Sequence, residues 1–407
     1  GPPVASMAAV GSSAMRCDAL PSGVQSELCS ALCGCITVLT AGNPEAFSFS
    51  GSCPDSPDSA GSFKSYADAE ADAGAYAGSL EAVMQALLRK LQAPAVEPEA
   101  RTEAYQMLTL MLDADVPAQL LAHQRELGFE TQKDAMNLFR AALQAGQRLG
   151  AEAEIAAYVR AHPQVVKLLL EGCASPINVL HCGHMLRACA QNRPLVEVLL
   201  EARAVQQLAE LAASESFEVS SDAFASLREL LLTHGEAASE YLAHHFSDFF
   251  GLYHRLVQVD DYARQRQALR LLGEVLLHSD FTAVMVKYVS RRAFLQIHMN
   301  LLRDEAASIK IGAFHLFKIF AANPNQPAGV TMILRKNRAR LMPLLQGLIA
   351  LKQDDAPLEN DVRCILQLLG NMADLPSVDS TRALYTSDDS AASPRTPKAK
   401  DTASGRA

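Results

Sequence analysis

The stretches SDAFASLREL at 221–230, RQALRLLGEV at 266–275 and IGAFHLFKIF at 311–320 are one phrase written three times, at steps of 45 residues. Each has Ala third and large apolar residues fourth, seventh and tenth: Ala223, Phe224, Leu227 and Leu230; Ala268, Leu269, Leu272 and Val275; Ala313, Phe314, Phe317 and Phe320. That spacing draws one stripe along a helix and does not fit the alternation of a strand. A small residue at the head of the stripe lets a neighbouring helix approach closely. Fainter copies stand upstream at Cys182, Leu186 and Cys189 and at Ala135, Met136, Phe139 and Ala142. A period of about 40 to 47 residues is that of armadillo and HEAT repeats, whose units bury their apolar faces by stacking on one another. The spacing predicts an all-α, right-handed helical-repeat solenoid of six or seven units, with 266–276 and 311–321 as equivalent inner helices.

Length agrees. At 407 residues the chain exceeds the roughly 250 to 300 at which one core stops growing, a limit a solenoid escapes by adding layers. Residues 1–39 form an N-terminal segment with one short helix expected in VQSELCSALCGCITVLTAG, and the opening GPPVAS before Met7 is left out of fold reasoning. Residues 40–78 are rich in Ser, Gly, Pro and Asp, too poor in apolar surface to order themselves, and are read as a disordered insert. Helical periodicity occupies 79–375, with breaks at Pro94, Pro98 and Pro117. The polar tail 376–407 is also read as disordered. Its Ser393 and Thr396, each before Pro, are candidate sites for proline-directed phosphorylation.

Charge is unevenly spread. Residues 255–352 hold 15 Lys and Arg against 6 Asp and Glu, whereas the whole chain sums to −9. Arg264, Arg266, Arg270, Lys310, Lys318, Arg335, Lys336, Arg338 and Arg340 recur along the later helices. A basic concave strip on an acidic chain favours an acidic peptide or chain terminus as partner. The nine cysteines are odd in number and sit mostly within helical patterns, where a free thiol behaves as a small hydrophobe. With no signal-like start and no apolar run of bilayer length, a cytoplasmic, reducing setting is expected.

The candidate chemical motifs dissolve on inspection. HCGHMLRAC gathers His181, Cys182, His184 and Cys189, but Cys182 points away from the face His181 and His184 could share, and no second ligand pair follows at zinc-finger distance. Core thiols with surface imidazoles are the better reading, and Cys29, Cys33 and Cys35 are discounted alike. The run from Asp68 through Glu70 and Asp72 opens like a calcium loop, yet Ala73 and Ser79 occupy the places of the turn glycine and the bidentate acid. HFSDFF, His245 to Phe250, has an Asp between aromatics and no nucleophile at a defined distance. No phosphate-binding glycine loop, nucleophile elbow or HExxH occurs, so no enzyme, metal or cofactor is expected. Nucleic acid is a weak alternative: Ala225, Arg270 and His315 occupy equivalent positions without forming a base-reading code.

At SDAF, RQALRLLGEVLL, MNLLRD, AFHLFKIFAANPN and LRKN, the chain resembles the calcium-binding protein 39 family, also called mouse protein-25, helical-repeat scaffolds of kinase assemblies. CGHMLRAC and FETQKDAMNLF support the likeness, which is dense from about 160 to 350 and weaker from 79 to 159. The resemblance implies a rod of repeats with a C-terminal pocket for a Trp-Glu-Phe-type tail of a pseudokinase and a concave face that holds a kinase domain closed and active. By motif match the pocket would include Arg266, Arg270, where the family more often has Lys, and Met299; the kinase-facing surface would include Phe217, Tyr262 and Lys336. The implied partner is a kinase of the sterile-20 or germinal-centre type or a related pseudokinase, with the chain a monomer that binds neither nucleic acid nor membrane.

Arg266 and Arg270, four apart on one helix face, can meet a Glu and a terminal carboxylate, while the Met299 thioether suits aromatic rings. Ordinary alternatives stand beside each assignment: Met299 as core, Tyr262 as a helix-entry aromatic, Lys336 as a solvated cation. A transport or phosphatase adaptor is the rival function. The family's longer polar connection after the GE-LLL motif is shortened here to HSDF, His278 to Phe281, which puts contacts from that loop in doubt.

Overall fold

The structure, a computed structural model, describes Leu32 and residues 80–92, 98–351 and 355–372. The insert 40–78, the tail 376–407, the cysteines Cys29, Cys33 and Cys35, the Asp68 to Ser79 run, and Ser393 and Thr396 lie outside the described residues, as does segment 1–39 apart from Leu32.

Among the described residues every regular element is a helix. In order they are α1 (80–92), α2 (Pro98–Asp113), α3 (Val116–Ala122), α4 (Phe129–Leu149), α5 (Glu152–Ala161), α6 (Gln164–Cys173), α7 (Val179–Cys189), α8 (Arg193–Glu201), α9 (Ala204–Leu211), α10 (Phe217–Leu232), α11 (Gly235–His244), α12 (Phe246–Val257) and α13 (Tyr262–Leu277). A 3₁₀ turn, Ser279–Phe281, precedes α14 (Thr282–Val289), α15 (Arg292–Leu301), α16 (Ala307–Ala321), α17 (Ala328–Ile349) and α18 (Ala356–Gly370). The chain divides into two compact units, with the boundary between Tyr288 and Val289.

In the first unit the helices stand in three columns. α4, α7, α10 and α13 pack in succession, as do α5, α8 and α11, and α3, α6, α9 and α12. A repeat is thus three helices, α5–α6–α7, α8–α9–α10 or α11–α12–α13, the arrangement of an armadillo-type solenoid. The repeated phrase falls in the third helix of each. Ala223 and Ala268, with Cys182 and Ala135 at the matching places, are buried, as are their apolar followers apart from the half-buried Met136. The reason for a small residue at that position is visible at Cys182: a β-carbon added to Gly172 of α6 would stand 2.1 Å from its Sγ, so α6 and α7 touch with no room to spare.

The third helices also close the ends of their neighbours. Buried side chains at the fourth position reach back eight residues: Gln132 Nε2 donates to the Gln124 carbonyl at 2.9 Å, Ser220 Oγ to that of Ala212 at 2.8 Å, and Gln265 Nε2 to that of Val257 at 3.1 Å. The final carbonyls of a helix have no partner within it. A polar residue at this position therefore fastens the ends of α3, α9 and α12 to the starts of the third helices that follow them.

The second unit is smaller. α15 packs on α16 and α17, and α18 closes on both α16 and α17. The third phrase lies in α16 with Ala313, Phe314, Phe317 and Phe320 buried. Gln326 Nε2 donates to the carbonyls of Phe320 and Ala321, which ends that helix.

Candidate partner-binding surface

The starts of α10 and α13 are held by caps. Ser216 Oγ accepts from the Val219 amide, and Asp261 Oδ1 accepts from the Arg264 amide at 2.8 Å. With the caps outside and Ser220 and Gln265 turned inward, the first residue of each helix faces solvent: Phe217 is 65 % and Tyr262 52 % exposed. The two starts lie side by side, because Arg264 Nη1 donates to the Ala213 and Ser214 carbonyls just ahead of α10.

One turn beyond Tyr262, Arg266 is exposed and has no ion pair with any described residue. Arg270 is exposed too but already engaged: its Nε donates to Glu274 Oε1 at 3.0 Å, while Arg228 Nε from α10 donates to Oε2 at 2.6 Å. Burial pushes the Glu274 carboxyl up, but the hydrogen bonds from Arg228 and Arg270 outweigh it and hold the group below its ordinary range. The two arginines that the sequence treats as equals therefore differ, one with its charge open and one already sharing a carboxylate.

Met299 and Lys336 belong to the second unit. Met299, in α15, is only 8 % exposed, so most of its thioether is covered. Lys336 is exposed on α17. Of the basic strip, Lys318 pairs with Asp361, Arg338 donates to the Met372 carbonyl, and Arg264 spans Asp261 and two carbonyls. Counting charges overstates how many of these cations are open to a partner.

The HCGHMLRAC segment forms most of α7. His181, Cys182 and Cys189 are buried and His184 is exposed, lining a groove of about 300 Å³ with Arg140, Gln144 and Gln191. Burial pushes the Cys182 and Cys189 thiols up to about 12, far from a reactive thiolate. Among the described residues no three His, Cys, Asp or Glu side chains gather in a metal-holding group. HFSDFF opens α12, where Phe246, Phe249 and Phe250 are core and Asp248 is exposed. The shortened connection at 278–281 packs on α11: a β-carbon at Gly235 would lie 2.5 Å from Asp280 Oδ2.

Sequence reasoning missed the polar joint between α7 and α10. Arg187 Nη1 donates to Asp222 Oδ1 and to Ser226 Oγ, both at 2.8 Å. Arg228 and Glu274 make the corresponding joint between α10 and α13. Arg187 and Arg228 stand 41 residues apart, the same step that separates the two phrases that carry them, and that periodicity was the available signal.

A three-helix repeat whose third helices stack in one column, with exposed aromatic residues at the starts of α4, α10 and α13 and cations further along, defines a helical-repeat binding scaffold. The chain belongs to the Mo25-like family, whose profile matches residues 64–373. It is 31 % identical to the human protein named Calcium-binding protein 39-like over 277 residues, 68 % of this chain and 82 % of that one. It is 38 % identical over 231 residues to the Degreening-related gene dee76 protein of Auxenochlorella protothecoides, covering 56 % of this chain and 70 % of the relative. With the Mo25-like protein of Schizosaccharomyces pombe it shares 33 % over 253 residues, 62 % and 76 % of the two chains.

Proposed function

We propose that this protein is a non-catalytic cytoplasmic scaffold that binds a protein kinase or pseudokinase and stabilises its closed, active state. The observation that carries the reading is the solvent-facing pair Phe217 and Tyr262 on adjacent helix starts, with the unpaired Arg266 one turn beyond Tyr262. Large apolar groups are normally buried, and exposed ones beside an open cation are the composition of an interface. Phe217, Tyr262 and Lys336 would face the kinase; Arg266 and Arg270 would take the carboxylates of an acidic-aromatic tail, and Met299 its rings. Activation would be a population shift: the scaffold binds the closed kinase more tightly than the open one, by a ratio that limits the effect.

The test is titration of a fluorescent peptide ending Trp-Glu-Phe against wild type, Arg266→Ala and Met299→Ala. Loss of one charge-assisted hydrogen bond pair costs about 1.5 to 3 kcal/mol, so Arg266→Ala is expected to weaken binding by ten-fold or more. Equal affinity for all three proteins rules out the tail assignment. A kinase activity assay with a sterile-20-type kinase, with and without Phe217→Ala and Tyr262→Ala scaffold, tests the second half. No stimulation by wild type, with transport or phosphatase components recovered from cells instead, supports the rival adaptor.

A further inference from the structure

The groove between α4 and α7 lies away from the exposed helix starts. It holds about 300 Å³, and its walls carry Arg140, Gln144 and Gln147 from α4 and His184, Arg187 and Gln191 from α7 and the turn after it. Arg140 is eleven residues past Phe129, which places the groove about 16 Å along α4 from its start. Phe217, Tyr262 and Arg266 belong to α10 and α13 and line no part of it. Gln147 Nε2 donates to the Gln191 carbonyl at 3.2 Å and ties the two walls together.

The lining side chains are basic or neutral, and none is acidic. Arg140 is half-buried and makes no hydrogen bond or ion pair with any described residue. Arg187 spends its Nη1 on Asp222 and Ser226, which leaves Nε and Nη2 without a partner among the described residues. Two acids of α10 stand behind the walls and are already engaged, Asp222 by Arg187 and Glu229 by Gln191 Nε2. Burial, then the charges of Arg187 and Arg140, lower the His184 imidazole, and Asp222 opposes them with a smaller effect, while His181 adds to the lowering. The cations therefore outweigh the carboxylate where His184 sits.

Two guanidinium groups and an imidazole around one small groove suit a ligand with more than one negative charge. A phosphate monoester carries about −1.5 to −2 at neutral pH and offers three acceptor oxygens, which the planar fork of arginine meets in pairs. A carboxylate brings a single charge. A nucleotide needs a surface on which its base can stack, and no Phe, Tyr or Trp lines the groove. The volume is at the small end of ligand sites and matches one modified side chain better than a larger molecule. We infer that this groove recognises a phosphoserine or phosphothreonine side chain of a partner polypeptide, with Arg140 and Arg187 holding the phosphoryl oxygens and His184 donating a further hydrogen bond. The site shares no residue with the proposed kinase and tail surfaces and stands independently of that reading.

The probe is a fluorescein-labelled heptapeptide of Ala and Gly with one central phosphoserine, measured by anisotropy against the full chain. Its controls carry Ser or Asp at the centre. The phosphopeptide is expected to bind at least about ten-fold more tightly than either, the scale of one charge-assisted hydrogen bond. Arg140→Gln is expected to remove that advantage and His184→Gln to reduce it about three-fold, whereas Arg255→Gln, which removes an exposed cation elsewhere in the same unit, and Arg266→Ala retain it. Should Arg140→Gln unfold by circular dichroism, His184→Gln decides on its own criterion. Equal binding of the three peptides, or full phosphopeptide binding by Arg140→Gln, overturns the proposal. Loss in Arg266→Ala with Arg140→Gln unaffected also overturns it and assigns the phosphopeptide to the tail site. Inorganic phosphate that binds as tightly as the phosphopeptide, read by competition, overturns the polypeptide assignment in favour of a free anion. Because Arg266→Ala disables the tail site and leaves this groove intact, the two readings fail separately.

Discussion

The carboxylate of Asp222 lies directly over Gly183: a β-carbon at that glycine would stand 1.9 Å from Asp222 Oδ2 and 2.6 Å from its Cγ. Asp222 cannot easily move aside, because Arg187 holds its other oxygen at 2.8 Å. The glycine of HCGHMLRAC therefore sits where α7 and α10 leave no room for a β-carbon, and its role is steric. Gly183→Ala should destabilise the protein by about 1 to 3 kcal/mol, the range for overpacking a tight contact. Adding Asp222→Ala should recover part of that loss, since the obstructing carboxylate is gone. Thermal melts of the two single variants and the pair check it; additive losses would show that the contact is not the cause.

The fourth-position side chains make a second, independent prediction. Gln265→Leu keeps the volume but leaves the Val257 carbonyl without its donor, a cost of about 1 to 3 kcal/mol for a buried polar group. Gln132→Leu strands two carbonyls, those of Gln124 and Leu127, and should cost more than Gln265→Leu. Denaturant midpoints at unchanged slope give the comparison.

Burial of His254, which sits 3.0 Å from the Tyr288 hydroxyl, pulls its imidazole down to about 4. The unfolded chain binds this proton near pH 6.5 and the folded chain does so only near pH 4, so the stability this site confers is complete above pH 6.5 and declines as pH falls between those values. The loss approaches about 3 kcal/mol at pH 4. His181 and His184 are also lowered, chiefly by burial, and add to the trend in wild type. The difference in stability between wild type and His254→Gln, followed from pH 7.5 to 4, isolates the His254 contribution; a pH-independent difference would refute it.

Met299 and Arg266 should separate in thermal melts. Met299 is buried in α15, and truncation to Ala is expected to cost about 2 to 5 kcal/mol. Arg266 is exposed and its removal should stay within about 0.5 kcal/mol. Any peptide-binding loss in Met299→Ala must therefore be measured well below its melting temperature.

Arg270 should matter less to an acidic tail than Arg266, because Glu274 already occupies its guanidinium. Glu274→Gln should raise affinity for the acidic peptide by releasing Arg270, while lowering stability by no more than about 1 kcal/mol, the scale of exposed pairs. Unchanged affinity in Glu274→Gln would place Arg270 outside the tail site.

Much of the architecture was legible in the chain. The 45-residue step and the Ala-led stripe at 223, 268 and 313 follow from local periodicity, and periodicity alone dictates which face of a helix is apolar and that such faces must stack. What the linear pattern could not show is which side chains of separate repeats meet. Arg187 and Asp222 are 35 residues apart and Arg228 and Glu274 are 46, so their pairing depends on the register of α7, α10 and α13 rather than on any local rule. The same register sets the exposed Phe217 and Tyr262, 45 residues apart, on adjacent helix starts, and distinguishes Arg266 from Arg270. Helical propensity and burial are properties of a segment; a surface is a property of segments side by side, and only the packed repeats supply that.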